Sequence, residues 1–276
     1  MYTSPSGDKA KPPARVTLAT LQKMTREREP ITMVACYDAT AASVVENAGV
    51  EIILVGDSLG MLVQGGDSTL SVSIDDAVYH TRCVARGAKR AVVLGDMPFG
   101  SYQASPQQAF ENAAKLMAAG AHMIKLEGGA VMAPTVEFLS ARGIPVCGHL
   151  GLTPQSVNAL GGFKVQGKTE DAAQRVIDDA KAIEAAGAVM IVFEAIPTAL
   201  GKAVTEALSI PTIGIGAGPD CSGQILLLYD MIDFFPGRKA KFVKNFMAGA
   251  GSIQGAVENF VREVKARTFP SPEYCY

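Results

Sequence analysis

The chain has 276 residues, 48% of them hydrophobic and 19% charged, enough for one large core of the kind that a closed α/β barrel of about 250 residues builds. A net charge of −2 excludes a basic face for nucleic acid and leaves small molecules as the expected partners. Five scattered cysteines without a Cys-x-x-Cys pair, no N-terminal apolar core of signal-peptide length and no uncharged run near the ~18 residues of a membrane span predict a soluble cytoplasmic protein with reduced thiols and no membrane partner.

In chain order, residues 1–16 are polar and proline-rich and read as a tail or arm. Eight short apolar runs follow: "ITMVACYD" (31–38), "IILVGDS" (52–58), "AVVLGDMP" (91–98), "MIKLEGG" (123–129), "PVCGHLG" (145–151), "VMIVFEA" (189–195), "PTIGIGAG" (211–218) and "KFVKNFM" (241–247). Such Val- and Ile-rich runs are what parallel strands buried on both faces require. Helical patterns lie between them. Ser73 with Asp76 has the spacing of a capping box, and Ser105 before Pro106 is an N-cap with proline at the first helical position. Strict alternation predicts a parallel sheet, and eight units predict a single (β/α)8 barrel over 17–268, with an open doubly wound sheet as the alternative. Residues 269–276 read as a C-terminal tail. Three segments, "NAGVEIILVGD", "AAGAHMIKLE" and "AAGAVMIVFE", repeat one plan: a helix closing at Ala-Gly, an apolar strand, then a carboxylate. They recur roughly every 70 residues, about two βα units.

Charged groups collect at the strand ends: Asp38, Asp57, Asp96, Lys125 with Glu127, His149 and Glu194. In a barrel these lie at the C-terminal mouth, where active sites are built. A single strand-end aspartate carries little weight, because it often just caps the next helix. Five carboxylates beside one lysine and one histidine need neutralising, which a divalent cation does best. All-oxygen donors favour Mg²⁺ or Mn²⁺ over zinc. Asp57 and Asp96, each preceded by glycine on consecutive strands, are the candidate metal ligands, with Glu127 completing the shell directly or through water. Lys125 points to the same side of its strand as Glu127. It either holds a substrate carboxylate or only steadies Glu127 as a salt bridge. Glu194, beyond the apolar "VMIVF", suits a general base. His149 has a plain reading as a satisfied structural histidine alongside a functional one.

The word GDSL at 56–59 invites a serine hydrolase with Ser58 as nucleophile. Such a serine needs a base within hydrogen-bond reach, and GDSL hydrolases carry it in an Asp-x-x-His near the C-terminus. Here the histidines are His80, His122 and His149, none has aspartate three residues earlier, and none follows His149. The weight moves to Asp57. "GIGAG" (214–218) is not Gly-x-Gly-x-x-Gly and reads as a tight turn, with a phosphate-holding loop as the rival. The long polar loop 151–167 reads as a lid or binding segment.

Over roughly residues 16–265 the chain resembles the ketopantoate (3-methyl-2-oxobutanoate) hydroxymethyltransferases, on "ACYDATAA", "VGDSLGM", "DSTL" with "YHTR", "LGDMPF", "KLEGG", "GHLGLTPQSVNALGGFKVQG", "TIGIGAG" and "FVKNF". The resemblance implies a (β/α)8 TIM barrel of the phosphoenolpyruvate/pyruvate superfamily type. It implies transfer of a hydroxymethyl group from the cosubstrate 5,10-methylenetetrahydrofolate to 3-methyl-2-oxobutanoate, giving 2-dehydropantoate for pantothenate and coenzyme A synthesis. The family's Mg²⁺ ligands fall on Asp57 and Asp96, with Glu127 in or near the shell, and its base falls on Glu194. Its substrate contacts fall on Ser58, Lys125 and His149, beside the two aspartates that a chelating 2-oxo acid meets through the metal. The family is commonly a homodecamer. Departures lie at "FEAIP", which holds the base where the family usually has Glu-Cys-Val-Pro, at "CSGQ" and at Gly66; none replaces a matched metal or base residue. No residue is assigned to folate. The competing functions are a metal-dependent C–C lyase or aldolase for another 2-oxo acid, a Schiff-base aldolase using Lys125, and a non-catalytic 2-oxo-acid sensor.

Overall fold

The computed structural model describes residues 14–276; the proposed N-terminal arm falls largely outside the described residues. Eight parallel strands close on themselves in sequence order: β1 (Ile31–Ala35), β2 (Ile52–Val55), β3 (Val92–Asp96), β4 (Met123–Glu127), β5 (Val146–Gly151), β6 (Met190–Glu194), β7 (Thr212–Ile215) and β8 (Gly223–Leu227). Closure is made by β1 against β8, with Ile31 opposite Gly223 and Ala35 opposite Leu227. The helices surround the barrel, as a parallel sheet buried on both faces demands. No helix among the described residues is long and apolar enough to cross a membrane.

Seven of the eight expected strands form where the apolar runs place them. The eighth does not. "KFVKNFM" (241–247) is irregular chain, and β8 is Gly223–Leu227. A strand at 241–247 would put Phe242, Lys244 and Phe246 on one face. Instead Phe242 and Phe246 are buried, while Lys244 turns to Glu263 at 2.6 Å. Phe246 joins an edge-to-face cluster with Phe260 and Phe269, at 5.6 and 5.3 Å between ring centres. The segment is therefore apolar because Phe246 fills the layer outside the barrel, while Phe242 lines the cavity at its mouth. The β8 slot suits Gly223, since a Cβ there would lie 2.2 Å from the Ile31 carbonyl oxygen.

The helix starts follow the local chemistry. Ser73 and Asp76 form a reciprocal capping box on the helix Ile74–Gly87, and Ser105 caps Pro106–Ala119. The three echoing segments share a backbone feature: Gly49, Gly120 and Gly187 all take left-handed φ, at 99°, 112° and 100°. Each reverses the chain from a helix into β2, β4 or β6, a conformation that favours glycine. Two of these helix ends also carry a glutamate that clamps neighbouring backbone. Glu46 Oε2 accepts from the N–H groups of Lys89, Arg90 and Ala91 at 2.6–2.9 Å. Glu184 Oε1 accepts from Ser209 N–H and Oγ–H, both at 2.7 Å.

At the N-terminal face Glu51 is bonded to Thr32 N–H (2.8 Å), Thr32 Oγ (2.6 Å) and Lys265 Nζ (2.8 Å). It ties β1, the approach to β2 and the helix Ile253–Lys265 together. The last residues also pack on the barrel: Phe269 and Cys275 are buried, and the Tyr276 carbonyl accepts from Thr198 N–H at 2.9 Å.

Candidate active site

The closed barrel brings together most of the strand-end groups. A cavity of about 160 Å³ at the C-terminal mouth is lined by Asp57, Ser58, Asp96, Lys125, Glu127, His149 and Glu194. Its wall from β7, β8 and β1 is mostly apolar: Ile215, Ile225, Leu227 and Ala35, with Phe242 beside them and the acid Asp230 just beyond β8. The strand-end charged groups thus occupy the arc from β2 to β6. Asp38 is not among them. It is exposed and caps the helix Ala39–Asn47 through Ala41 N–H at 2.9 Å, the ordinary use of a strand-end aspartate.

Five of these side chains are nearly dry: Asp57, Asp96, Lys125, Glu127 and His149 expose 1–6% of their surface. Buried charge is tolerated only when paired, and the pairing is visible. Lys125 Nζ lies 2.6 Å from Asp96 Oδ1 and 3.9 Å from Glu127 Oε1. Its main partner is thus Asp96 and not Glu127, the neighbour two residues along its own strand. Asp96 Oδ2 in turn accepts from Asp57 N–H at 3.0 Å. His149 stands between two carboxylates, with Nδ1 3.2 Å from Glu127 and Nε2 3.3 Å from Glu194. Neither contact has hydrogen-bond alignment, so the attraction is one of charge.

The electrostatics follow from this arrangement. Burial, then the Asp96 charge, pushes the Asp57 carboxyl well above the ordinary carboxylate range, against Lys125 and Gln155. Burial works against charge on Glu127, yet His149, Lys125 and the Gln155 N–H hold its carboxyl below the usual value. Burial and Lys125 oppose an imidazolium at His149, but Glu127 and Glu194 win and raise it to about 9. Lys125 is held as an ammonium by Asp96, Glu127 and Asp57 despite its burial. Glu194 differs from the rest in keeping 16% side-chain exposure toward the cavity.

Ser58 Oγ bonds the Tyr37 hydroxyl at 2.9 Å and no histidine, which removes the serine-hydrolase arrangement. Two polar residues beyond the strand ends complete the site. Gln155 and Tyr102 are buried and bonded to Asp57, Glu127 and each other. The length of the 151–167 loop marks it as functional, but nothing in "GLTPQS" singles out Gln155. Its partner Asp57 is 98 residues away in the chain. The "GIGAG" segment turns at Gly216 and Gly218, with φ of 64° and 84°, and a Cβ on Gly216 would meet Phe242 at 2.7 Å. It is a tight turn.

The donor set can be tested against a divalent cation. Among the described residues no three His, Cys, Asp or Glu side chains converge as a complete metal cage. Mg²⁺ needs none: one or two carboxylates suffice, with water or a chelating substrate in the other positions. The adjoining Asp57 and Asp96 are hard oxygen donors of that kind, and Glu127 Oε1 is buried nearby without a hydrogen-bond partner. The residues fit.

Residues 15–272 match the family model described as ketopantoate hydroxymethyltransferase. The chain belongs to that family. Among curated ketopantoate hydroxymethyltransferases, the 3-methyl-2-oxobutanoate hydroxymethyltransferase of Chromobacterium violaceum is 60% identical over 95% of this chain and 100% of its own. That of Nitrosospira multiformis is 58% identical over the same shares. Solved structures place this ketopantoate hydroxymethyltransferase family barrel beside more distant folds. Phosphonopyruvate hydrolase with oxalate and Mg²⁺ aligns with a TM-score of 0.57 at 16% identity, over 75% of this chain and 79% of that one. The 2,3-dimethylmalate lyase of the PEP mutase/isocitrate lyase superfamily aligns with a TM-score of 0.55 at 15% identity, over 78% and 81%. These show a shared (β/α)8 architecture.

Proposed function

We propose that the chain transfers a hydroxymethyl group from 5,10-methylenetetrahydrofolate to 3-methyl-2-oxobutanoate, giving 2-dehydropantoate for pantothenate synthesis. The observation that carries this reading is Glu194: a carboxylate open to the cavity, beside His149 and on the same small chamber as Lys125, Asp57 and Asp96. The chamber takes the 2-oxo acid, and the folate approaches from its open side, where Phe163 lines the cavity and is half exposed.

Lys125 and Ser58 hold the carboxylate end of the 2-oxo acid. Asp57 and Asp96, with Glu127 nearby, would hold Mg²⁺ (or Mn²⁺), which when bound supplies positive charge to the keto and carboxylate oxygens. Glu194 takes the proton from C3, and His149 beside it steadies the carboxyl group through the exchange. The electron pair left at C3 forms the new bond to the one-carbon unit. That unit leaves both folate nitrogens, which take up the C3 proton returned by Glu194 and one proton of a water, and the hydroxyl of that water stays on the transferred carbon. The apolar wall from β7, β8 and β1 receives the branched alkyl end. The same family reading implies a cytoplasmic homodecamer.

The test is turnover of 3-methyl-2-oxobutanoate with methylenetetrahydrofolate, after chelation and after Mg²⁺ is restored. Activity that ends with EDTA and returns with Mg²⁺ supports the reading. Activity that survives EDTA and is trapped by borohydride indicates a Schiff base on Lys125, which the Asp96 ion pair disfavours by keeping that amine protonated. Turnover without folate indicates a lyase, and binding without turnover indicates a sensor.

A further inference from the structure

Gln155 is 4% exposed and reaches into the site from the 3₁₀ turn Pro154–Ser156. Its side-chain nitrogen donates to Asp57 Oδ2 and to the Met97 carbonyl, both at 2.9 Å. Its side-chain oxygen accepts from the Tyr102 hydroxyl at 2.6 Å and from Gln103 Nε2 at 3.3 Å. Its backbone N–H donates to Glu127 Oε2 at 3.0 Å. The Tyr102 hydroxyl, having given its one proton to Gln155, accepts from Glu127 N–H at 3.0 Å.

A primary amide has two N–H donors and two acceptor positions, and all four are engaged. The reverse orientation would set the amide oxygen against a carboxylate and a carbonyl, leaving buried acceptors without donors. The amide can therefore sit one way only. One side chain then controls an oxygen of Asp57 while its own backbone controls an oxygen of Glu127, and Tyr102 locks it from behind. A polar group that merely tied the loop to the barrel would need none of this aim at two carboxylates of the cavity.

We propose that Gln155, braced by Tyr102, is a positioning residue that sets the direction in which Asp57 and Glu127 present their free oxygens to a divalent cation and a chelating acid. This rests on the hydroxymethyl-transfer reading of the site. Partners of metal ligands in such outer positions typically change metal affinity 10–100-fold when removed. The loop 151–167 is thereby coupled to the cavity floor, because its 3₁₀ turn carries the group that aligns the carboxylates.

The experiment measures Mn²⁺ binding by calorimetry, with the spectrum of bound Mn²⁺ by electron paramagnetic resonance, on wild type, Gln155→Ala, Tyr102→Phe and the double variant. Urea unfolding is recorded for each. Gln155→Ala is expected to weaken Mn²⁺ binding 10–100-fold and alter the spectrum. In the Gln155→Ala background, Tyr102→Phe is expected to cost less than about twofold more, since the two act as one unit. Tyr102→Phe, which removes one oxygen, carries the test if the alanine variant does not fold. Mn²⁺ affinity and spectrum unchanged in a folded Gln155→Ala or Tyr102→Phe protein overturn the positioning role and leave the hydroxymethyl-transfer reading standing. A folded wild type that binds no Mn²⁺ overturns the metal assignment, and this role with it, while turnover of 3-methyl-2-oxobutanoate with methylenetetrahydrofolate decides the hydroxymethyl-transfer reading separately.

Discussion

Glu194→Gln is the sharpest single probe of the proposed chemistry. The amide has the shape of the carboxyl group and fills the same place 3.3 Å from His149 Nε2, so the cavity should keep its form. What it loses is the ability to take a proton. General-base removal typically costs 10²–10⁴-fold, or about 3–5 kcal/mol at 1.36 kcal/mol per decade. The structure puts the loss at the upper end, because the Glu127 and Asp96 carboxylates are already engaged. Glu127 Oε2 is occupied by Gln155 N–H, and its Oε1 faces His149 and Lys125. Asp96 is taken by Lys125 and by Asp57 N–H. The assay is loss of the C3 proton signal of 3-methyl-2-oxobutanoate in D₂O, followed by NMR without folate, which isolates proton removal from one-carbon transfer. Exchange should fall by about 10⁴, with Mn²⁺ affinity unchanged. Exchange within about tenfold of wild type would refute the assignment of the base.

Three further outcomes are expected. His149 is raised to about 9 in the folded protein from an ordinary 6.5, so its imidazolium stabilises the fold fully below pH 6.5 and this is lost as pH rises through about 9. In chelator-treated protein, the urea stability of wild type over His149→Gln should shrink across that window; a constant difference would contradict it. Glu51→Ala leaves the fully buried Thr32 N–H and hydroxyl without their acceptor, which should cost about 3 kcal/mol in urea unfolding while C3 exchange persists. Gly120→Ala combines a φ of 112° with a Cβ placed 2.5 Å from that of Ala85. It should destabilise by more than about 1 kcal/mol, and a neutral result would show that the helix end adjusts.

The barrel was legible because each buried parallel strand is a short apolar run with its own stop signal, and seven of them have one. β8 has none: Gly223–Leu227 runs straight into the helix Leu228–Met231, so "ILLLYDM" shows neither period cleanly. "KFVKNFM" took its place because its apolar side chains serve elsewhere, Phe246 in the layer outside the barrel and Phe242 at the cavity mouth. The site was legible where chemistry sits on a strand end, as at Asp57, Asp96, Lys125, Glu127, His149 and Glu194, all of which line one cavity. Asp38 shows the limit of that rule, since its carboxylate serves its own helix. Gln155 and Tyr102 were not legible. Their importance comes from long-range contacts, and a buried glutamine in a polar loop has no local mark.

The division of the cavity into a charged arc and an apolar arc has an engineering meaning. Ala35, Ile215, Ile225 and Leu227 touch the chamber but contribute no hydrogen bond to its acids and bases. On the proposed reading, changing side-chain volume at these four positions should redraw the range of branched acids accepted while leaving the pairing of Asp96, Lys125, Glu127 and His149 on the opposite arc in place.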